Sequence, residues 1–206
     1  MNIVNSYVDA WDRDYRNKGR LWGGSAKDLP ALPAGSVVLE MGCGDGKTLA
    51  SMPTDGRIAA LDTSPEALRL SRTSAKHVDL ILANACLLPF RKSCFDFVFA
   101  FHVTGHMLLP SREALAREAG RVLKSGGKLF FREFGAEDMR SRQGDEVESG
   151  TFRRGNDILT HYFTKSEVEG LFDDLEPIMI STHHWKLRVK GQDLTRAEVE
   201  AVFLKI

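Results

Sequence analysis

Two kinds of apolar pattern alternate along this chain. Five short, continuous runs have the character of strands buried on both faces: "SVVLEMG" from Ser36, "GRIAALD" from Gly56, "VDLILAN" from Val78, "FDFVFAF" from Phe95 and "GGKLFFREF" from Gly126. Helical stretches lie between them. "SPEALRLSRTSA" opens with Ser64 as a cap, Pro65 at the first helical position and Glu66 in the first turn. "SREALAREAGRVLK" opens with Ser111 as a cap, spaces Ala114, Leu115, Ala119, Val122 and Leu123 for burial on one face, and is closed by "SGG". A helix is also expected immediately after the glycines of "VVLEMGCGDGKTL" (Val37 to Leu49), and "TKSEVEGLF" opens on Thr164 as a cap. Strands alternating with helices predict a parallel sheet covered on both faces.

The ends depart from this alternation. Residues 1 to about 33 read as helical. Residues 136–163 are polar, basic and glycine-containing, an excursion after the fifth strand, within which the run "RSRQGDEVESGTFRRG" (Arg140 to Gly155) reads by default as a solvated loop. The closing runs "EPIMISTHHWKLRV" and "EVEAVFLKI" read as strands, and the wide gap between them predicts an antiparallel ending.

Composition narrows the class. A chain of 206 residues holds one domain with a proper core, so 1–206 is read as a single domain. Apolar content of 43% and charged content of 27% are those of a soluble globular protein. No apolar run approaches the ~20 residues that span a bilayer, and the N-terminus carries no signal-peptide stretch. Three cysteines without paired metal spacing read as reduced thiols of a cytoplasmic protein, with Cys86 buried among apolar neighbours. His102 and His106 lie four apart with no third ligand at a helpful spacing, so no metal is expected. His183 and His184 fall on opposite faces of a strand. A net charge of zero supplies no global field to attract nucleic acid.

The glycine turn carries the chemistry. A phosphate-binding P-loop fits Gly46-Lys47-Thr48 but needs a glycine where Met41 stands. A dinucleotide fingerprint needs a small third residue where Lys47 stands.

A third pattern matches better. Glu40, Gly42 and Gly44 after the first strand, with Asp62 ending the second, resemble the E-x-G-x-G-x-G arrangement of Rossmann-like S-adenosylmethionine-dependent methyltransferases. "NACLLPF" (Asn84 to Phe90) resembles that family's D-A-x-x-L-P-F stretch, with Asn84 replacing the aspartate that accepts from the adenine amino group. "CFDFVFAFHVTGHM" and "REAGRVLKSGGKLFF" resemble its fourth strand with the following loop, and its closing helix, turn and fifth strand. The match runs over residues 36–134. The ends resemble the tRNA 3-methylcytidine methyltransferases: "AWDRDYRNKGRLW" their leading segment, "LFFREFG" their L-F-R-D-Y-G, "TFRRGNDILTHYFT" the segment with their arginine and aromatic pair, and "AVFLKI" their closing strand. Glu133 stands for their aspartate, the glycines are shifted, and there is no basic N-terminal extension.

With the alternation, the resemblance implies a seven-stranded, mostly parallel sheet with helices on both faces, an antiparallel final strand and an N-terminal helical lid. It implies S-adenosylmethionine as cofactor, held by Tyr15, Arg20, Glu40, Gly42, Gly44, Asp62, Thr63, Asn84, Ala85 and Phe101. Asp62 would take the ribose hydroxyls, while Tyr15 and Arg20 would sit near the methionine part. Without that resemblance, Trp11, Tyr15 and Trp22 are equally the packed face of a helix. His102, Glu133, Arg154 and Tyr162 are the implied acceptor-side residues, and the implied acceptor is a nitrogen of a tRNA base. A small-molecule acceptor, or a methyltransferase-like subunit dependent on a protein partner, remains an alternative. The chain has no N/D-P-P-Y motif for exocyclic adenine methylation and no Pro-Cys loop for covalent attack on cytosine, since Cys86 is followed by Leu87.

Overall fold

The structure, a computed structural model, describes residues 3–21, 29–53, 55–155 and 157–206. Trp22 and the rest of residues 22–28, read above as part of the helical leading segment, lie outside the described residues. Before the gap runs α1 (Ile3–Lys18). The five apolar runs become β1 (Val37–Met41), β2 (Arg57–Asp62), β3 (Val78–Leu82), β4 (Phe95–Phe101) and β5 (Leu123–Phe134). Connecting them are α2 (Pro65–Ser71), after β2, and α3 (Leu109–Val122), after β4. The excursion holds β6 (Asp145–Glu148), β7 (Thr151–Arg153) and β8 (Leu159–His161); then follow α4 (Lys165–Leu171), β9 (Glu176–Val189) and β10 (Gln192–Leu204).

The seven-stranded sheet has the order β3-β2-β1-β4-β5-β10-β9. β3 through β5 are parallel, and β10 inserts antiparallel between β5 and β9, as the expected architecture requires. Side-chain alternation sorts the core into two layers. Leu39, Met41, Val98, Ala100, Leu129, Phe131, Val199 and Ala201 face α3 and α4. Val38, Ile58, Ala60 and Phe99 face the opposite way, toward Leu68 of α2. Helices therefore cover both faces. Among the described residues no helix is long and apolar enough to cross a membrane.

Four local expectations are corrected. The glycine turn does not open an α-helix: one turn closed by Ala50 N–H to Gly46 C=O leads to a 3-10 turn at Leu49–Ser51, and Met52 is already extended. Pro53 follows at once and leaves no room for a helix. Ser111 is not a cap. α3 begins two residues earlier, with Pro110 in its first turn, and the Leu109 amide donates instead to the Glu148 carboxylate at 3.1 and 3.2 Å. The same helix ends at Val122, before the glycines, because Leu123 already pairs with β4 as the first residue of β5. Finally, there is no wide gap before the last strand. β10 starts at Gln192, and Lys190-Gly191, both at positive φ (47° and 83°), form a two-residue hairpin turn matched to strand twist. Ser64 and Thr164 do cap α2 and α4, the latter through a reciprocal capping box with Glu167.

The excursion is not a solvated loop. β6, β7 and β8 form a separate antiparallel sheet with Thr151, Phe152, His161, Tyr162 and Phe163 buried. It is tied to α3 by buried Arg112, which donates to Glu148 at 2.6 Å and to the Met107 carbonyl at 2.7 Å. A charge buried in this way is held by its partners, and removing Glu148 would strand it.

Candidate functional site

A cleft of about 1110 Å³ opens at the carboxyl ends of β1, β2 and β4, where the strand order reverses direction. Its floor is the glycine turn. Gly42, Gly44 and Gly46 all have positive φ (72°, 54° and 85°). A Cβ on Gly42 would lie 2.4 Å from Val103 Cγ2, and one on Gly44 would lie 2.6 Å from the Tyr15 hydroxyl. The turn is stapled to β2: the Gly42 and Cys43 amides donate to the Leu61 carbonyl at 2.8 and 2.9 Å, and Gly44 N–H donates to Asp62 at 2.9 Å. The other Asp62 oxygen accepts from Ser64 N–H at 2.9 Å. Burial pushes the Asp62 carboxyl upward, against the pull of the Ser64, Gly44 and Thr63 amides.

Four carboxyls line this half: Asp14, Glu40, Asp45 and Asp62. Glu40 is 2% exposed, and its Oε2 has no hydrogen-bond partner among the described residues. Burial raises its pKa to about 8, with Asp62 and Asp45 adding repulsion and a hydrogen bond with Thr48 opposing. Asn84 is exposed at the rim, with its side-chain carbonyl accepting from Cys86 N–H at 2.9 Å. Thr63, Ala85 and Phe101 complete the wall. Cys86 is half-buried rather than buried, because it faces the same opening.

α1 covers the cleft. Tyr15 is buried over Gly44, its hydroxyl raised by burial, and Trp11 packs edge-on against His106 with ring centroids 4.7 Å apart. Asp12 pins the helix to α2, accepting from Ser64 Oγ at 2.7 Å and Glu66 N–H at 3.1 Å. Arg20 does not join the cleft. Its guanidinium turns outward and donates to Thr73 Oγ1 at 2.6 Å and Ser74 Oγ at 3.2 Å, beyond the carboxyl end of α2, which is rich in acceptors.

The other half of the cleft is lined by His102, Arg132, Phe134, Arg140, Arg154, Tyr162, Trp185, Arg196 and Glu198, among others. Arg154 donates to the Tyr162 hydroxyl and, at 3.1 Å, to the Arg140 carbonyl, so the excursion brings these residues together. His102 is held in the left-handed region (φ 52°), with Nε2 3.2 Å from Glu198 and Nδ1 3.8 Å from Glu133. Glu133 itself does not reach the cleft. Strand alternation points Arg132 and Phe134 to the cleft face and Glu133 to the opposite one, where it is 1% exposed and accepts from Gly105 N–H at 2.8 Å. Burial lifts its pKa to about 7, and His102 opposes the rise. His106 also lines the cleft, with its Nδ1 held 2.6 Å from the Leu159 carbonyl, and burial lowers its pKa to about 4.

The sequence reading missed Arg132, Arg140, Trp185, Arg196 and Glu198. A signal existed for two of them. In β10, buried Ala197 and Val199 alternate with Arg196 and Glu198, which places the polar pair on the cleft face. Trp185 pairs with Arg196 across the β9–β10 hairpin, a register that the closing run by itself does not reveal.

Residues 39–131 match the family described as a methyltransferase domain. The chain is similar to the tRNA N(3)-methylcytidine methyltransferase Mettl2 of Drosophila melanogaster, at 24% identity over 86% of this chain and 63% of that protein. It is also similar to the malonyl-(acyl-carrier protein) O-methyltransferase of Herminiimonas arsenicoxydans, at 38% identity over 78% of this chain and 60% of that protein. It thus spans less than two thirds of the length of either relative. Among solved structures, an S-adenosylmethionine-dependent methyltransferase from Methanosarcina mazei superposes with a TM-score of 0.69 at 25% identity, over 85% of this chain and 94% of the other.

Proposed function

We propose that this chain, which has the Rossmann-like sheet of the class I methyltransferases and matches a methyltransferase-domain family over residues 39–131, binds S-adenosylmethionine in the cleft and transfers its methyl group to a ring nitrogen of a base in tRNA. The acidic half of the cleft fits the cofactor. S-adenosylmethionine carries a sulfonium and an ammonium, and the unpartnered buried oxygen of Glu40, beside Asp62 and Asp45, suits a cationic ligand. In this reading Gly42, Gly44, Asp62, Thr63, Asn84, Ala85 and Phe101 form its bed and Tyr15 its cover. The spare lone pairs of Asp62 remain for hydroxyl donors. When bound, the cofactor supplies a methyl group already activated for displacement.

The protein's part is positioning and exclusion of water. Alignment of two reactants contributes up to about 7–11 kcal/mol in favourable systems. A ring nitrogen with a free lone pair needs no strong base. Phe134, backed by the buried Tyr162, offers a stacking surface for a base and Arg154 a phosphate contact, in line with the single-base recognition of RNA outside a helix. The observation that carries this reading is that juxtaposition of arginines and aromatic rings beside the acidic half. Glu133 acts through His102 as a positioning residue. A protein partner that supplies RNA affinity belongs to this reading, because a chain of net charge zero draws a polyanion weakly.

The second reading is a small-molecule acceptor, supported by the 38% likeness to an O-methyltransferase. Tritiated methyl incorporation into total tRNA and into a metabolite extract separates the two. Label in tRNA, lost in Arg154→Ala and Tyr162→Ala while S-adenosylhomocysteine still binds, is the expected result. Label confined to the metabolite fraction would overturn the tRNA reading and leave the methyltransferase one intact.

A further inference from the structure

The acceptor half of the cleft has an excess of guanidinium groups. Arg132 is paired with Glu200 at 2.8 Å, and Arg196 with buried Asp138 at 2.6 Å. Glu198 is occupied by His102. Arg140 and Arg154 have no carboxylate ion pair among the described residues, and Arg154 Nε is buried without any partner. Arg140 is half-buried, its guanidinium 6.0 Å above the Phe134 ring, which Arg196 also covers at 4.8 Å. Burial, with Arg196 and Arg154 adding repulsion, lowers Arg140 from its ordinary value. Guanidiniums crowded this way are at odds with one another until an anion joins them, and their planar forks match a carboxylate or phosphate.

The rest of the cleft sharpens the point. One half is lined by four carboxyls together with Lys18 and Lys47, the other by four arginines together with Glu198, so carboxyls predominate in the first and guanidiniums in the second. We propose that Arg140 and Arg154 form an anion site for the acceptor, which carries a carboxylate or phosphate close to its methyl-accepting atom and lies with its ring against Phe134. This rests on the methyltransferase reading above. The acceptor's charge is then opposite in sign to that of the cofactor, and each is drawn to its own half. A tRNA nucleotide and a small organic acid present the same chemistry here, a planar ring beside an anion.

The test is the melting temperature of protein saturated with S-adenosylhomocysteine, titrated at constant ionic strength with phenyl phosphate, benzoate and the neutral benzamide. The anionic probes should stabilise and benzamide should not, with a rise of roughly 3–5 °C at about ten times the dissociation constant. Arg140→Gln should remove the rise, whereas Arg188→Gln, an exposed arginine paired with Asp193, should keep it. No shift with either anion, an equal shift with benzamide, or an unchanged shift in Arg140→Gln overturns the proposal. Displacement of phenyl phosphate by unfractionated tRNA identifies the anion as a nucleotide phosphate, and persistence against tRNA identifies a small acid. Failure of S-adenosylhomocysteine to bind in the first step would instead sink the cofactor reading. The anion titration is then run on the protein alone and decides the proposal by the same outcomes.

Discussion

At the residue scale, Glu40 and Asp62 do different work although both are acids at the ends of adjacent strands. Glu40 has a raised pKa of about 8, because burial penalises its charge. The folded state therefore holds this proton more tightly than the unfolded chain, whose carboxyls titrate near 4.3. Its cost to stability is absent below that value, grows through the interval and is complete above about 8. The ligand-free protein should accordingly lose melting temperature between about pH 4.3 and about 8, the window those values define. Glu40→Gln should reduce that loss, leaving the part that Glu133, raised to about 7, contributes, as differential scanning fluorimetry across pH would show. A cationic ligand prefers the ionised carboxylate, so affinity for S-adenosylmethionine, which its sulfonium makes a net cation, should rise over the same window in the wild type and not in Glu40→Gln. A flat wild-type profile would refute the contact.

Asp62 joins the glycine turn to the start of α2 through two amide hydrogen bonds. Hydrogen bonds to a charged group contribute about 1.5–3 kcal/mol each. Asp62→Ala should lower the urea midpoint and, separately, weaken S-adenosylhomocysteine roughly ten- to hundredfold by calorimetry. Full affinity in a folded variant would place the cofactor elsewhere.

At the scale of elements, α1 lines the cleft through Trp11 and Tyr15, and the proposed function gives it the part of a lid. Asp12 supplies the hinge contact by accepting from both Ser64 Oγ and Glu66 N–H, where it shares the capping of α2 with Ser64. Loss of a capping acceptor costs about 1 kcal/mol. Asp12→Ala should speed amide exchange in α1 and weaken S-adenosylhomocysteine by roughly fivefold, with the sheet amides unchanged. Equal protection in variant and wild type would show that the lid is held by Trp11 and Tyr15 alone. Glu148 plays the corresponding part for the excursion, donating nothing and accepting from Arg112, Thr151 and the Leu109 amide.

At the scale of the whole molecule, the cleft is where four separate pieces of chain meet: the lid, the carboxyl ends of the parallel strands, the excursion and the β9–β10 hairpin. A ligand there binds only the assembled state. S-adenosylhomocysteine at about a hundred times its dissociation constant should add roughly 2.7 kcal/mol to the unfolding free energy. Hydrogen exchange should slow in α1 and the glycine turn on its addition. Protection confined to the excursion would contradict the assignment of the two halves.

Much of this was written in local sequence. Continuous apolar runs of strand length, punctuated by capped helices, specify a doubly covered parallel sheet, because a strand without a polar face has to be buried on both sides. The glycines announce a turn that side chains would obstruct, and Ser64 and Thr164 act on backbone within four residues of themselves. Tertiary structure decided what depends on distant partners. The cap of α3 comes from Glu148, 39 residues away, and not from nearby Ser111. Glu133 is withdrawn from the cleft by strand parity, and Arg20 by acceptors near the end of α2. The paired charges Asp138–Arg196 and Arg132–Glu200 come from segments far apart in the chain, and only their pairing leaves Arg140 and Arg154 unneutralised beside the cleft. A pattern read along the chain reports each residue's own preference for water or burial. Which charges cancel is settled only when the sheet brings residues 14 and 198 to the same opening.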